Sequence, residues 1–266
     1  MPIHPTAIVD PGAELDPSVT VGPLAVIEAG VVVGPETTIG AHSVLSGPTV
    51  IGARNLIGPF CTVGAAPQDL KYGGEPTRLT IGNDNQIREY ASIHRGTVDG
   101  LGETRIGDHN FLMAYSHVAH DCELGSHVVM ANAATLGGHV QVADRAILGG
   151  LVAVHQFCRV GRFAFVGGLS GVSLDVPPFV RVSGIRGGMR VSSINVVGLR
   201  RAGFPEETVT SLRQAHRIIF RRPELLLEAA LEEALATAPG CAEVAELVAF
   251  FRSSRRGVIR RNGGDD

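Results

Sequence analysis

Apolar residues recur at every sixth position along most of this 266-residue chain. From Ile3 the series runs through Val9, Leu15, Val21, Ile27, Val33, Ile39, Leu45, Ile51, Ile57 and Val63. It resumes at Ile81, Ile87 and Ile93, and again at Ile106, from which it continues unbroken to Val172. All 26 positions are apolar although hydrophobic residues make up only 44% of the chain, a coincidence on the order of one in 10⁹. A period of six is neither the two of a strand nor the 3.6 of a helix. Glycine follows the apolar residue repeatedly ("VGP", "IGA", "IGN", "LGS"), so each hexad reads as a short strand and a turn. Three hexads then close one triangular coil of a parallel β-helix whose apolar column points inward.

Two interruptions, residues 64–80 and 94–105, read as loops projecting from one edge of the solenoid, where binding sites concentrate. The register ends at "DVPPFV", because Pro177 and Pro178 cannot continue a ladder. Beyond the glycine-rich bridge "SGIRGGMR", three segments have helical spacing, with Pro205 and Pro223 expected just inside helix starts. The sequence therefore predicts an all-β solenoid over residues 1–190 and a small α-helical domain over 191–266.

Composition narrows the function. A net charge of −3 excludes a generally basic nucleic-acid binder. No apolar run reaches the roughly twenty residues of a membrane span, and the N-terminus lacks a signal-peptide pattern, so the expectation is a cytoplasmic protein with no stable membrane insertion. Cys61, Cys122, Cys158 and Cys241 form no CxxC pair, which argues against a zinc ribbon or disulfide framework. Lys71 is the only lysine among 23 basic residues.

The coil turns spacing into geometry, since residues 18 apart stack on successive coils about 4.8 Å apart. His120, Gly138 and Gln156 form one such column, with His139 and His155 beside it and His117 around the corner. His4, His42, His109, His127 and His216 stay outside the patch and read as solvated. Three readings of the patch compete. It is a set of surface turns; a metal site using His117, His120 and Cys122; or a general base, since imidazole accepts a proton near neutral pH. The third is favoured, because Gly138 above His120 leaves a backbone N–H open to a reacting atom, and base plus oxyanion donor is what acyl transfer requires.

"PQDLKYGGEPT", "IHRGTV", "HVAHDC", "ATLGGHV", "AVHQFC", "GGLSGV", "GLRRAGF" and "FFRSSRRGVIR" together resemble the acyl-carrier-protein-dependent UDP-N-acetylglucosamine O-acyltransferases, over nearly the whole chain. That resemblance implies a left-handed coil, a homotrimer, no cofactor or metal, and transfer of an (R)-3-hydroxyacyl chain from acyl carrier protein to the 3-hydroxyl of UDP-N-acetylglucosamine. It implies that His120 is the base and the Gly138 N–H the oxyanion donor. Gln68, Asp69 and Lys71 would meet the sugar nucleotide, and His117, His139, His155 and Gln156 would line the cleft. Asn195 and Arg201 would reach the uridine diphosphate, and Gly168 would sit where the acyl tail ends. Val197 and Ala202 depart from the family pattern. An N-acyltransferase of the same pathway, a CoA-dependent acetyltransferase and a non-enzymatic scaffold are the alternatives.

Overall fold

In the computed structural model, which describes residues 3–185 and 188–260, the hexads form sheets of nine, eight and ten strands, parallel except for the last pair of the ten-stranded one. Arg186, in the glycine-rich bridge, lies outside the described residues. Strands enter the sheets in strict rotation. Ile8–Val9 starts face I, Glu14–Leu15 face II and Thr20–Val21 face III, and the next coil returns to face I at Val26–Ile27. Register follows the sequence spacing, for example His117↔Thr135 and Thr135↔Ala153. The second residue of each short strand points inward, so the column Val118, Leu136, Val154 and Val172 is buried. The fold is a left-handed β-helix of hexapeptide repeats.

Most corners turn within about four residues and place one residue in the left-handed region. Among the described residues, nineteen that are not glycine have φ between 54° and 67°, a conformation that costs an L-residue roughly 1–2 kcal/mol. Inter-coil hydrogen bonds of 2.6–3.1 Å through the corners, such as Gly58 N–H to Ile87 O and His42 N–H to Pro23 O, offset it.

The two loops are shorter than the breaks in the repeat. Ala65 still pairs with His94, and Leu79 and Thr80 still pair with Thr49 and Val50, so strands Thr62–Ala65 and Arg78–Ile81 take up the ends of the first break. Strands Ser92–His94 and Glu103–Ile106 do the same for the second. Both loops leave the coil at the corner between faces I and II.

Face III closes with an antiparallel hairpin, Val180–Ser183 against Arg190–Ile194. The helices follow: α1 Val196–Arg201, α2 Glu206–Arg221, α3 Leu227–Thr237 and α4 Ala242–Ser253. α1 gives no helical spacing in the sequence. It is six residues long and capped by Asn195, whose side-chain oxygen accepts from the Gly198 N–H at 3.1 Å. Pro205 is the N-cap of α2. Pro223 lies in a turn ahead of α3 rather than inside a helix start, because the chain folds back there through the Leu225 N–H to Arg222 O bond of 3.2 Å. The helices are tied to the last coils by Arg162–Glu246 at 2.7 Å and by Phe204 edge-on to Phe163 at 5.1 Å.

The inward column makes a direct prediction. Leu136→Ala is expected to cost about 2–5 kcal/mol in urea unfolding, whereas Thr135→Ala, one residue away and facing out, should change stability by less than about 0.5 kcal/mol.

Candidate active site

The corner between faces I and II brings the predicted column together. A Cβ built on Gly138 would lie 2.6 Å from His120 Cε1 and 2.7 Å from its Nε2, so only glycine lets the imidazole lie against this backbone. The His139 N–H donates to His120 O and the Phe157 N–H to Gly138 O, both at 3.0 Å, which locks the three coils in register. Among the described residues the Gly138 N–H has no hydrogen-bond partner. Gln156 is exposed at the outer end of the column.

Sequence reasoning missed the residue that orients His120. Asp121 is buried, and its Oδ2 lies 2.8 Å from His120 Nδ1. It also accepts from the Thr97 N–H at 3.0–3.1 Å, the Thr97 hydroxyl at 2.7 Å and the Leu101 N–H at 2.9 Å. Burial opposes ionisation of this carboxyl, but the hydrogen bonds from Thr97, His120 and Leu101 outweigh it and hold Asp121 below its usual value. An ionised carboxylate only accepts. His120 Nδ1 is therefore the donor, and the lone pair of the neutral ring sits on Nε2, beside Gly138. The signal was the dipeptide "HD", in which Asp121 takes the left-handed corner position (φ 58°) that aspartate tolerates well.

Other histidines surround this pair. His139 stands edge-on to His120 at 5.1 Å and stacks on Phe157 at 4.5 Å. His117 accepts or donates at Nδ1 with Ser92 Oγ, 2.7 Å away, and meets His94 edge-on at 4.9 Å. The sequence reading passed over His94, which is 5% exposed with Nδ1 unpartnered among the described residues; its signal was "IHRGTV" at the root of the second loop. His155 is exposed on the following coil. Its Nδ1 lies 2.8 Å from the Arg256 guanidinium, an obligate donor, so the ring is held by the C-terminal segment. His216 is not solvated as expected, for α2 buries it against Phe220.

Both loops rise beside the same corner. Lys71 Nζ reaches Asp99 of the second loop at 3.8 Å, with both side chains mostly exposed, and the Lys71 N–H donates to Asp69 at 3.0 Å. Arg95 anchors the first loop by donating to Gly47 O, Gly64 O and the Tyr72 hydroxyl at 2.7–3.1 Å. Gln68 is exposed on this loop.

Three expected site residues lie elsewhere in the chain. Arg201 and Val197 line a cavity of about 510 Å³ on face III, with His127, Ile147, Phe165 and Arg181. Asn195 borders it too, with its amide capping α1 and donating to Phe163 O at 3.0 Å. Gly168 is exposed at the corner between faces III and I, across face I from His120.

The metal reading fails on ligand chemistry. Cys122 is buried, its thiol donates to Gly137 O at 3.1 Å, and burial pushes it up to about 12, so it offers no thiolate near neutral pH. His120, Asp121 and His139 do present ligand atoms within 4.8 Å of one another. Yet Asp121 already accepts from Thr97, Leu101 and His120, and a cation would have to displace these donors.

A model of bacterial transferase hexapeptide repeats matches residues 30–65 and 103–138, and a model described as UDP-N-acetylglucosamine O-acyltransferase domain 2 matches residues 175–259. Acyl-[acyl-carrier-protein]–UDP-N-acetylglucosamine O-acyltransferase of Halorhodospira halophila is 53% identical, over 97% of this chain and 99% of its own. The enzyme of that name from Burkholderia lata is 48% identical over 97% and 99%. LpxA from Acinetobacter baumannii superposes with a TM-score of 0.93 at 40% identity, covering 98% of this chain and all of its own. The Francisella novicida UDP-N-acetylglucosamine acyltransferase superposes at 0.94 and 36%, covering 98% and 95%.

The buried histidines set an acid limit to stability. Burial above all, and then the nearby charges of His117, His120 and Arg95, brings His94 down to about 4; burial and then Arg221 do the same to His216. A histidine depressed in the folded state contributes its full share above its unfolded value near 6.5 and loses it as pH falls from there toward 4, by about 1.4 kcal/mol per pH unit for each group. The urea midpoint should therefore fall between pH 7 and pH 5, and His216→Phe should shrink that fall. An unchanged difference between the two pH values in His216→Phe would contradict the assignment.

Proposed function

The chain belongs to the acyl-[acyl-carrier-protein]–UDP-N-acetylglucosamine O-acyltransferases, which carry out the first step of lipid A biosynthesis, and we propose that the corner between faces I and II is where it moves the acyl chain. The observation that carries this reading is the His120 ring, fixed by Asp121 through Nδ1 and presenting Nε2 against the bare backbone of Gly138.

Nε2 takes the proton from the 3-hydroxyl of UDP-N-acetylglucosamine as that oxygen attacks the thioester carbonyl of a 3-hydroxyacyl carrier protein. Imidazolium forms next to the Asp121 carboxylate, which stabilises it without accepting its proton. The carbonyl electron pair moves to oxygen, where the Gly138 N–H donates to the oxyanion. Collapse of the tetrahedral intermediate breaks the C–S bond and leaves an ester on the sugar. Nε2–H then returns the proton to the departing thiolate. His117 and His139, with burial lowering the protonation of both, line the cleft as neutral hydrogen-bonding groups, and Gln156 and His155 extend it toward the C-terminal coils. Gln68, Asp69 and Lys71 on the first loop meet the sugar nucleotide.

The nucleotide's far end is assigned to the cavity on face III, where Arg201 supplies a cation for phosphate. Arg201 and His120 lie on different faces of one chain. A homotrimer in which face III of one copy lies against face I of the next completes the site, and Gly168 then borders the groove taken by the acyl tail. Nothing in this mechanism requires a cofactor. Among the described residues no helix is long and apolar enough to cross a membrane.

His120→Ala should lower turnover by roughly 10²–10⁴ with the fold intact. Asp121→Asn should lower it as well, because an amide that donates to Nδ1 moves the ring proton to Nε2, the wrong tautomer for a base. Near-normal turnover in folded His120→Ala protein would overturn the mechanism. Exhaustive chelation should leave turnover unchanged, and its loss with recovery on adding zinc would restore the metal reading.

A further inference from the structure

The C-terminal segment is strapped to the last coil and delivers one arginine to the edge between faces I and II. Asp175 is buried and accepts from the Ser254 hydroxyl at 2.8 Å. Its N–H donates to Gly257 O at 2.9 Å, and the Ile259 N–H donates to Asp175 O at 3.0 Å. Arg256 lies inside this strap, with Nε donating to Ser173 O at 2.9 Å. The guanidinium ends at a histidine, its terminal nitrogen 2.8 Å from Nδ1 of His155.

A second contact competes for that ring nitrogen, since Gln156 O lies 3.1 Å from it. A carbonyl only accepts and a guanidinium only donates, so Nδ1 cannot satisfy both. To bond Gln156 O it must carry the ring proton; to bond Arg256 it must be bare. The guanidinium contact is the shorter and its donor is charged, which makes it the stronger bond. The neutral ring then carries its proton on Nε2, which has no hydrogen-bond partner among the described residues. His120 has the reverse arrangement, with Nδ1 donating to Asp121 and Nε2 left as the acceptor.

We propose that Arg256 is a positioning residue that sets the tautomer of His155, making Nε2–H a fixed donor to an oxygen of the bound substrate. The inference rests on reading this edge as the acyl-transfer site. His155 adjoins Gln156, two coils on from His120, and so stands about 10 Å away along the axis at roughly 4.8 Å per coil. A donor at that height takes no part in proton transfer at the thioester. It meets an acceptor further along a substrate. The two substrates offer one each, a diphosphate oxygen of the sugar nucleotide or an amide carbonyl of the carrier protein's phosphopantetheine arm. Either oxygen requires a donor, and the other tautomer would set a lone pair against it.

Nitrogen-15 spectra of the full-length protein, labelled at histidine, report the ring protons directly, and the His155 signal is the one that His155→Ala removes. At pH 8, above the ordinary histidine range, wild type should show Nε2–H at this residue. Arg256→Met keeps the stem and removes the donor, so Nδ1 should take the proton and turn it to Gln156 O. In the same variant KM should rise roughly tenfold, the effect of losing one hydrogen bond, with kcat changed much less. A rise for UDP-N-acetylglucosamine places the acceptor on the diphosphate; a rise for the acyl carrier protein thioester places it on the arm. In a His155→Ala background Arg256→Met should add nothing further, which separates positioning from a loosened strap. Nδ1–H in wild type, an unchanged tautomer in Arg256→Met, or additive losses in the double variant would overturn the proposal. The spectra need no turnover, so failure of the tautomer assignment and failure of the acyl-transfer reading are told apart.

Discussion

Everything in this protein depends on the hydrogen bond between successive coils. It returns the chain to the same place every 18 residues wherever no loop intervenes, so a side chain on one coil acquires fixed neighbours above and below. The bonds from His139 to His120 and from Phe157 to Gly138, both 3.0 Å, set the height at which the imidazole meets the glycine backbone. Inward valines, leucines and isoleucines supply the burial that lets the ladder persist through nineteen left-handed corners. A helical scaffold would leave each site residue free to shift with side-chain packing. Here the position is set by main-chain bonds, and a site on rigid elements keeps its geometry better than one on loops.

The loops matter because one of them is bonded to the carboxylate that orients His120. Asp121 takes its acceptor bonds from Thr97 and Leu101 as well as from His120, so the second loop and the His120 imidazole share one carboxylate. Gly100 lies in that loop, and a Cβ there would meet the carboxylate at 2.4 Å. The loop therefore closes over Asp121 and keeps water from its oxygens. That isolation maintains a charged carboxylate in a buried position, and the charge in turn fixes the tautomer. Lys71, tied across to Asp99 by an exposed pair, belongs to the looser outer layer, where such a pair contributes at most about 1 kcal/mol.

The fold was legible in sequence to an unusual degree because its period appears directly as apolar spacing. Strand boundaries within the loops were less legible: Leu79 and Thr80 pair with their neighbours although the six-residue count fails there. α1 was invisible, because six residues containing two valines and a glycine have little helical preference and form a helix only under the Asn195 cap. The column of His120, Gly138 and Gln156 followed from arithmetic. Asp121, His94 and Ser92 did not, since a hydrogen bond depends on which way a side chain turns at a corner and spacing does not encode it. Arg201 and Asn195 were located by resemblance, and nothing in the repeat could have said that they lie on another face.

That separation follows from the shape of the fold. A triangular prism has flat faces and convex edges, so the coil alone cannot enclose a substrate. Concavity arises only where something is laid against it. Arg255, Arg256 and Ser253 wall a cavity of about 660 Å³ beside His139, and α1 walls the one on face III. A base at one edge and a cationic pocket on a non-adjoining face make an open, half-built site on each chain. In the homotrimer proposed above, a second prism laid against the first would enclose both halves at once and exclude the water that would compete with the sugar hydroxyl for the thioester.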